Sequence, residues 1–160
     1  MAILEPGASF PILTLRDESG SVVSPSSRET LYAVFKTTCP TCELAWPYLE
    51  RIRQAAAGGA LEILAISQDD PETTSAFNTR LGIRVKTVYD PEPWTASDSL
   101  GITSVPTFIR VGPDSSVDQI VVGFDREQME EFGRRAASLA RRPNSGLFRT
   151  GEDVPAIRPG

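Results

Sequence analysis

Histidine is absent from the 160 residues, and cysteine occurs only twice. The first absence removes every Cys-His or Ser-His pairing that could activate a nucleophile. Two cysteines without histidine also fall short of the sulfur and nitrogen set of a structural zinc site. No metal and no cofactor is therefore expected. No segment repeats at a fixed period, and the 13 prolines and 12 glycines are dispersed rather than gathered in a linker. The opening stretch MAILEPGASFPILTL carries Glu5 and lacks a basic segment ahead of an apolar run. It has the pattern of neither a secretory leader nor a transmembrane helix. The expectation from that stretch is a cytoplasmic protein with no membrane partner, with an extracytoplasmic one as the alternative if a leader or anchor has been removed.

The formal net charge of -5 argues against nonspecific nucleic-acid binding. Eight of the 16 basic residues fall in the last third, Arg134, Arg135, Arg141 and Arg142 among them. Glu127, Glu130 and Glu131 are interleaved there, as on a solvated helix face.

What is present is enough apolar content, 40%, for one continuous core in a single domain spanning 1–160. The apolar stretch at Phe10, Ile12, Leu13 and Leu15, then a polar Asp17–Gly20 break, then Val22 and Val23, predicts an N-terminal hairpin. The run LYAVF, Leu31–Phe35, suits a strand buried on both faces, and LEILAI, Leu61–Ile66, a second. Between them Leu44, Tyr48, Leu49 and Ile52 recur at helical spacing, predicting a helix from about Thr41 to Ala57 with a kink at Pro47. Further helices are expected over Pro71–Leu81, Trp94–Leu100 and Asp125–Leu139, the last capped by Asp125. Strands are expected over Val85–Tyr89, Thr107–Val111 and Val117–Val122, with a turn at Gly112–Ser115. Alternating strands and helices imply an α/β fold with a sheet covered on both faces, mixed because of the closing hairpin. The core spans about 5–139. Residues 143–160 lack periodicity and read as an irregular surface tail, with Leu147, Phe148 and Ile157 as candidate anchors.

The chemistry-bearing feature is Cys39-Pro40-Thr41-Cys42, set where a buried strand runs into a helix. Two cysteines one helical turn apart can form a disulfide, which is the redox context of such a pair. Unpaired N–H groups at a helix N-terminus stabilise a thiolate, so Cys39 is expected to ionise more readily than a free thiol. Pro40 pins the turn and Thr41 adds a neutral polar group. Cys39 would attack a substrate disulfide, and Cys42 would resolve the mixed disulfide.

Taken in order, the entry segment PGASFPILTLRDESGSVV, the strand LYAVF, Cys39–Cys42, Pro47, LEILAIS with Gln68-Asp69-Asp70, LGITSVPTFIRV and Gly123-Phe124 resemble the thioredoxin superfamily in its redoxin branch. That branch includes the thiol–disulfide oxidoreductases of cytochrome maturation and the peroxiredoxins. The resemblance implies a thioredoxin-like three-layer fold, a mixed sheet flanked by helices, with the N-terminal hairpin as an extension. It implies that Pro106 is a cis-proline opposite Cys39, and that the backbone of Val105 pairs with an extended substrate. Thr38, Pro40 and Thr41 would complete the docking surface, with Lys36 as electrostatic support for Cys39. The implied partners are a protein disulfide and an unidentified thiol reductant.

The sequence departs from that pattern in three places. Thr38 stands where an aromatic platform is usual, and alanines, Ala33 and Ala45, stand where relatives carry a carboxylate able to take the proton of the resolving thiol. Glu43 is a neighbour in sequence but is expected to face solvent. Two other readings follow. One is a thiol peroxidase, for which Lys36 replaces the needed threonine and Arg110 is the stand-in arginine. The other is an interaction module that has lost turnover.

Overall fold

The computed structural model describes residues 4–24 and 26–160, so the first three residues of the opening stretch lie outside the described region. Its strands are β1 (Leu15–Arg16), β2 (Val22–Val23), β3 (Glu29–Phe35), β4 (Leu61–Ser67), β5 (Lys86–Tyr89), β6 (Thr107–Val111), β7 (Val117–Val122), β8 (Phe124–Asp125) and β9 (Ile157–Arg158). Its helices are α1 (Pro40–Ala56), α2 (Pro71–Leu81), α3 (Thr95–Ser99) and α4 (Arg126–Leu139).

Seven strands form one sheet in the order β2-β1-β5-β4-β3-β6-β7. The three central strands run parallel, β3 against β4 and β4 against β5, while β6, β7 and the N-terminal hairpin are antiparallel additions. All seven residues of β3 are buried, as the unbroken apolar run requires of a strand covered on both sides. Leu31, Ala33 and Phe35 point into the larger core, with α1, α2 and α4. Tyr32 and Val34 point the other way, against Ala96 of α3, Leu100 just after it and the apolar N-terminal segment. The result is the expected three-layer, thioredoxin-like α/β arrangement.

Polar side chains set the helix starts. Asp70 accepts from Thr73 N at 2.7 Å to begin α2, and Asp125 accepts from Gln128 N at 3.0 Å to begin α4. Helix α1 starts one residue earlier than its apolar spacing predicts, at Pro40. Proline fits there because the first helical N–H has no partner to lose. At Pro47, where a kink is expected, the helix is continuous through Ala56.

Residues 143–160 depart from an irregular tail in a specific way. Leu147 and Val154 are buried and Phe148 packs on the core, but Ile157 is 69% exposed and anchors nothing. Instead Ile157–Arg158 pairs antiparallel with β8. This short ribbon is invisible to an alternation rule that needs four or more residues.

Candidate active site

The two loops at the C-terminal ends of β3 and β4 lie side by side, the place where open α/β sheets carry their chemistry. They are stitched together by Gln68 N to Phe35 O at 3.0 Å and by Thr37 N to an Asp69 carboxylate oxygen at 2.7 Å. Held this way, residues 36–38 deliver Cys39 to the N-cap of α1 in extended backbone geometry.

Cys39 uses its sulfur as the capping group. The Cys42 N–H donates to Cys39 Sγ at 3.1 Å, and the Cys39 thiol reaches the Val105 carbonyl at 3.4 Å. A charged sulfur accepts such an N–H bond more strongly than a neutral one. Cys39 is half-buried whereas Cys42 is wholly enclosed, and both are free thiols. Burial, together with the hydrogen bond to Cys39, pushes the Cys42 thiol far above its ordinary range. The pair therefore has one sulfur reachable from outside and one that holds its proton.

The Val105–Pro106 bond is cis, as the resemblance implies, and its backbone faces Cys39. The Pro106 carbonyl accepts from Gly123 N at 2.8 Å, which ties this turn to the end of β7. Cys39, Cys42, Val105 and Pro106 thus come together. Thr38 and Pro40 stand exposed at the rim. Thr41 does not face solvent: it is buried, and its hydroxyl donates to Pro159 O at 2.7 Å.

Other candidates fall elsewhere. The Lys36 ammonium lies 4.5 Å from the centroid of the Trp94 ring, so its charge is directed at that face. Arg110 is paired with Leu31 near the start of β3, at the opposite end from Cys39, and is bound to Glu29 and Asp118. It cannot serve as the peroxidase arginine. Glu43 is exposed and paired with Arg80, and Ala33 and Ala45 are fully buried without any acidic group of their own.

Trp94 is the site residue that sequence reasoning missed. Its Nε1 donates to Gln68 O at 3.1 Å, and with Lys36, Ser104 and Val105 it lines a cavity of about 330 Å³ beside the cis-proline turn. An aromatic wall is therefore present, supplied from the α3 side rather than from position 38. Only the adjacent Pro91 and Pro93, which mark an irregular loop, hint at it in the sequence.

A cysteine pair at a helix N-terminus, facing a cis-proline turn at one end of a thioredoxin-like sheet, defines a cysteine-based redox enzyme. Residues 5–132 match the Redoxin family, and the chain belongs to it. The chain is 28% identical over 130 residues to the thiol-disulfide oxidoreductase ResA of Halalkalibacterium halodurans, covering 80% of this chain and 73% of that protein. Among solved structures, a thiol:disulfide interchange protein from a Bacteroides species has a TM-score of 0.72 at 17% identity, over 89% of this chain and 94% of that one. A secreted Mycobacterium tuberculosis disulfide oxidoreductase homologous to E. coli DsbE has a TM-score of 0.65 at 16% identity, over 79% and 96% of the two chains. Likenesses at these identities establish the fold. The fold, the family and the cysteine pair together make this protein a redox-active thiol–disulfide oxidoreductase.

One expectation is overturned by these relatives. The opening residues predict a cytoplasmic location, yet the similar structures include an enzyme described as secreted and point away from the cytoplasm. The physical reason is that net charge and the apolar pattern of one short stretch measure solubility, not compartment.

Proposed function

We propose that the protein reduces disulfides in protein substrates outside the cytoplasm, with Cys39 as nucleophile and Cys42 as resolving thiol. The observation that carries this reading is the asymmetry of the pair: a reachable Cys39 sulfur at the helix N-cap and a Cys42 sulfur with no exposure.

In the first step Cys39, as thiolate, attacks one substrate sulfur. A bond forms between Cys39 and that sulfur, the substrate S–S bond breaks, and the other substrate sulfur leaves and takes up a proton. Cys42 then attacks Cys39, releasing the second substrate sulfur, which takes the proton that Cys42 gives up. Two electrons pass from the pair to the substrate, leaving a Cys39–Cys42 disulfide. An external dithiol restores the pair by the reverse exchange.

Alanine at both 33 and 45 leaves no carboxylate to receive the Cys42 proton at either usual place, so the departing substrate thiolate is its acceptor. Val105 and Pro106 form the backbone edge on which an extended substrate docks, with Thr38 and Pro40 at its rim. Lys36 and Trp94 form one wall. Dithiothreitol-driven reduction of insulin tests the reading. Cys39→Ser should abolish turnover, and full activity in that variant would refute the assignment.

A further inference from the structure

Residues 157–160 lie against the backbone at Val105, the turn that Cys39 faces. Beyond α4 the polypeptide turns back and follows α1 from its C-terminal end to its N-terminal end. Arg142 donates to Gln54 O at 3.0 Å, and Arg51 donates to Leu147 O at 3.1 Å. Arg51 also grips Glu152 with two bonds of 2.7 Å, and Tyr48 OH reaches the same carboxylate at 3.4 Å. Val154 is buried, and Ala156 O then accepts from Arg126 N at 2.9 Å as β9 pairs with β8. Thr41, the residue before Cys42, then donates to Pro159 O at 2.7 Å.

Residues 157–160 are seated by close backbone approach rather than by side-chain burial. A Cβ on Gly123 would stand 2.8 Å from Arg158 O and 3.2 Å from Gly160 N, and Gly123 has a φ of +79°. Glycine is the residue for both demands. At Gly160 a Cβ would overlap the Val105 carbonyl oxygen, the same oxygen that Cys39 Sγ contacts. Meanwhile every residue from Pro155 to Gly160 is exposed, Ile157 included. A segment held by main-chain contacts with its side chains in water has the character of a bound extended peptide. It is also cheap to remove, because little apolar area is lost.

We propose that Ile157–Gly160 is a built-in occupant of the substrate groove, a strap that an incoming extended segment must displace. The groove then selects substrates with a small residue, glycine above all, against the Val105 carbonyl. The proposal rests on the reading of Val105–Pro106 as the docking edge.

The test uses three proteins: the full chain, Gly160→Val, and a chain lacking residues 157–160. If the strap leaves the groove open about one-fifth of the time, removing it raises kcat/KM for a disulfide-linked peptide about fivefold. Iodoacetamide alkylation of Cys39, which needs no docking, should accelerate in parallel. The peptide IRPG added in trans should inhibit the shortened protein competitively and leave the full chain largely unaffected. Unchanged kcat/KM and alkylation in folded variants would overturn the strap while leaving the oxidoreductase reading intact. Loss of exchange in all three proteins, with Cys39 still alkylated, would overturn the docking edge and the strap with it.

Discussion

Helix α1 has two partners of opposite character. Its inner side carries Trp46, Leu49 and Ile52, all without exposure, against the sheet. Trp46 meets Phe35 at a ring-centroid distance of 4.3 Å and Phe108 at 6.0 Å. Its outer side holds residues 142–159 through hydrogen bonds from Arg51 and Thr41 and an ion pair with both side chains over 20% exposed. The first partner is apolar and fixes where the N-terminus of α1, and so Cys39, sits. The second is anchored by buried Leu147 and Val154 but is exposed from Pro155 to Gly160, so its last residues can leave without disturbing the first. A redox site needs both properties: a rigid sulfur and an approach that can open.

The contrast can be broken most forcibly from the inside. Trp46→Ala should cost about 3–5 kcal/mol of stability, as for other large core aromatics, measured by urea unfolding followed by circular dichroism. A loss below about 1 kcal/mol would show that α1 is not seated by that face. At the junction of the two regions, Asp125 caps α4 and pairs with Ile157. Asp125→Ala should cost about 1 kcal/mol through the lost cap, read in the same unfolding experiment.

The outer partner should respond to acid instead. Arg51, and then the Arg149 N–H, hold the Glu152 carboxyl down to about 2 from an ordinary 4.5. When the segment carrying Glu152 is detached, its carboxyl therefore takes up a proton at higher pH. Its hold is complete above pH 4.5 and is lost as pH falls towards 2. The hydrogen-exchange protection factor of the Arg149 amide, which donates to Glu152 at 2.6 Å, should fall through that window, and Glu152→Gln should abolish the step. The smallest effect is that of Glu152→Gln on global stability at neutral pH, because a solvated ion pair is screened by water and salt. A change as large as that of Trp46→Ala would erase the distinction between the two faces.

The legibility of the sequence divides along the same line. LYAVF and LEILAI announce their strands because burial on both faces demands unbroken apolar runs, and the cysteine pair with Val105-Pro106-Thr107 marks the site. The outer layer has no such imprint. The Thr41–Pro159 contact joins residues 118 positions apart through a backbone carbonyl, which any residue type supplies. Ile157 reads as an anchor by its side chain, yet its place is fixed by main-chain pairing with β8. Trp94 escaped for a related reason: its position depends on the loop after Tyr89, which turns through a cis Glu92–Pro93 bond. Pro47, where a kink is expected, lies within a continuous α1 whose inner face is fully packed on either side of it.

The division of labour between the two sulfurs is tested most directly by trapping. Cys42→Ser should be incubated with a disulfide-linked peptide and analysed by mass spectrometry. The predicted result is a stable mixed disulfide located at Cys39 and released by dithiothreitol. Absence of any adduct from a folded Cys42→Ser protein would contradict it.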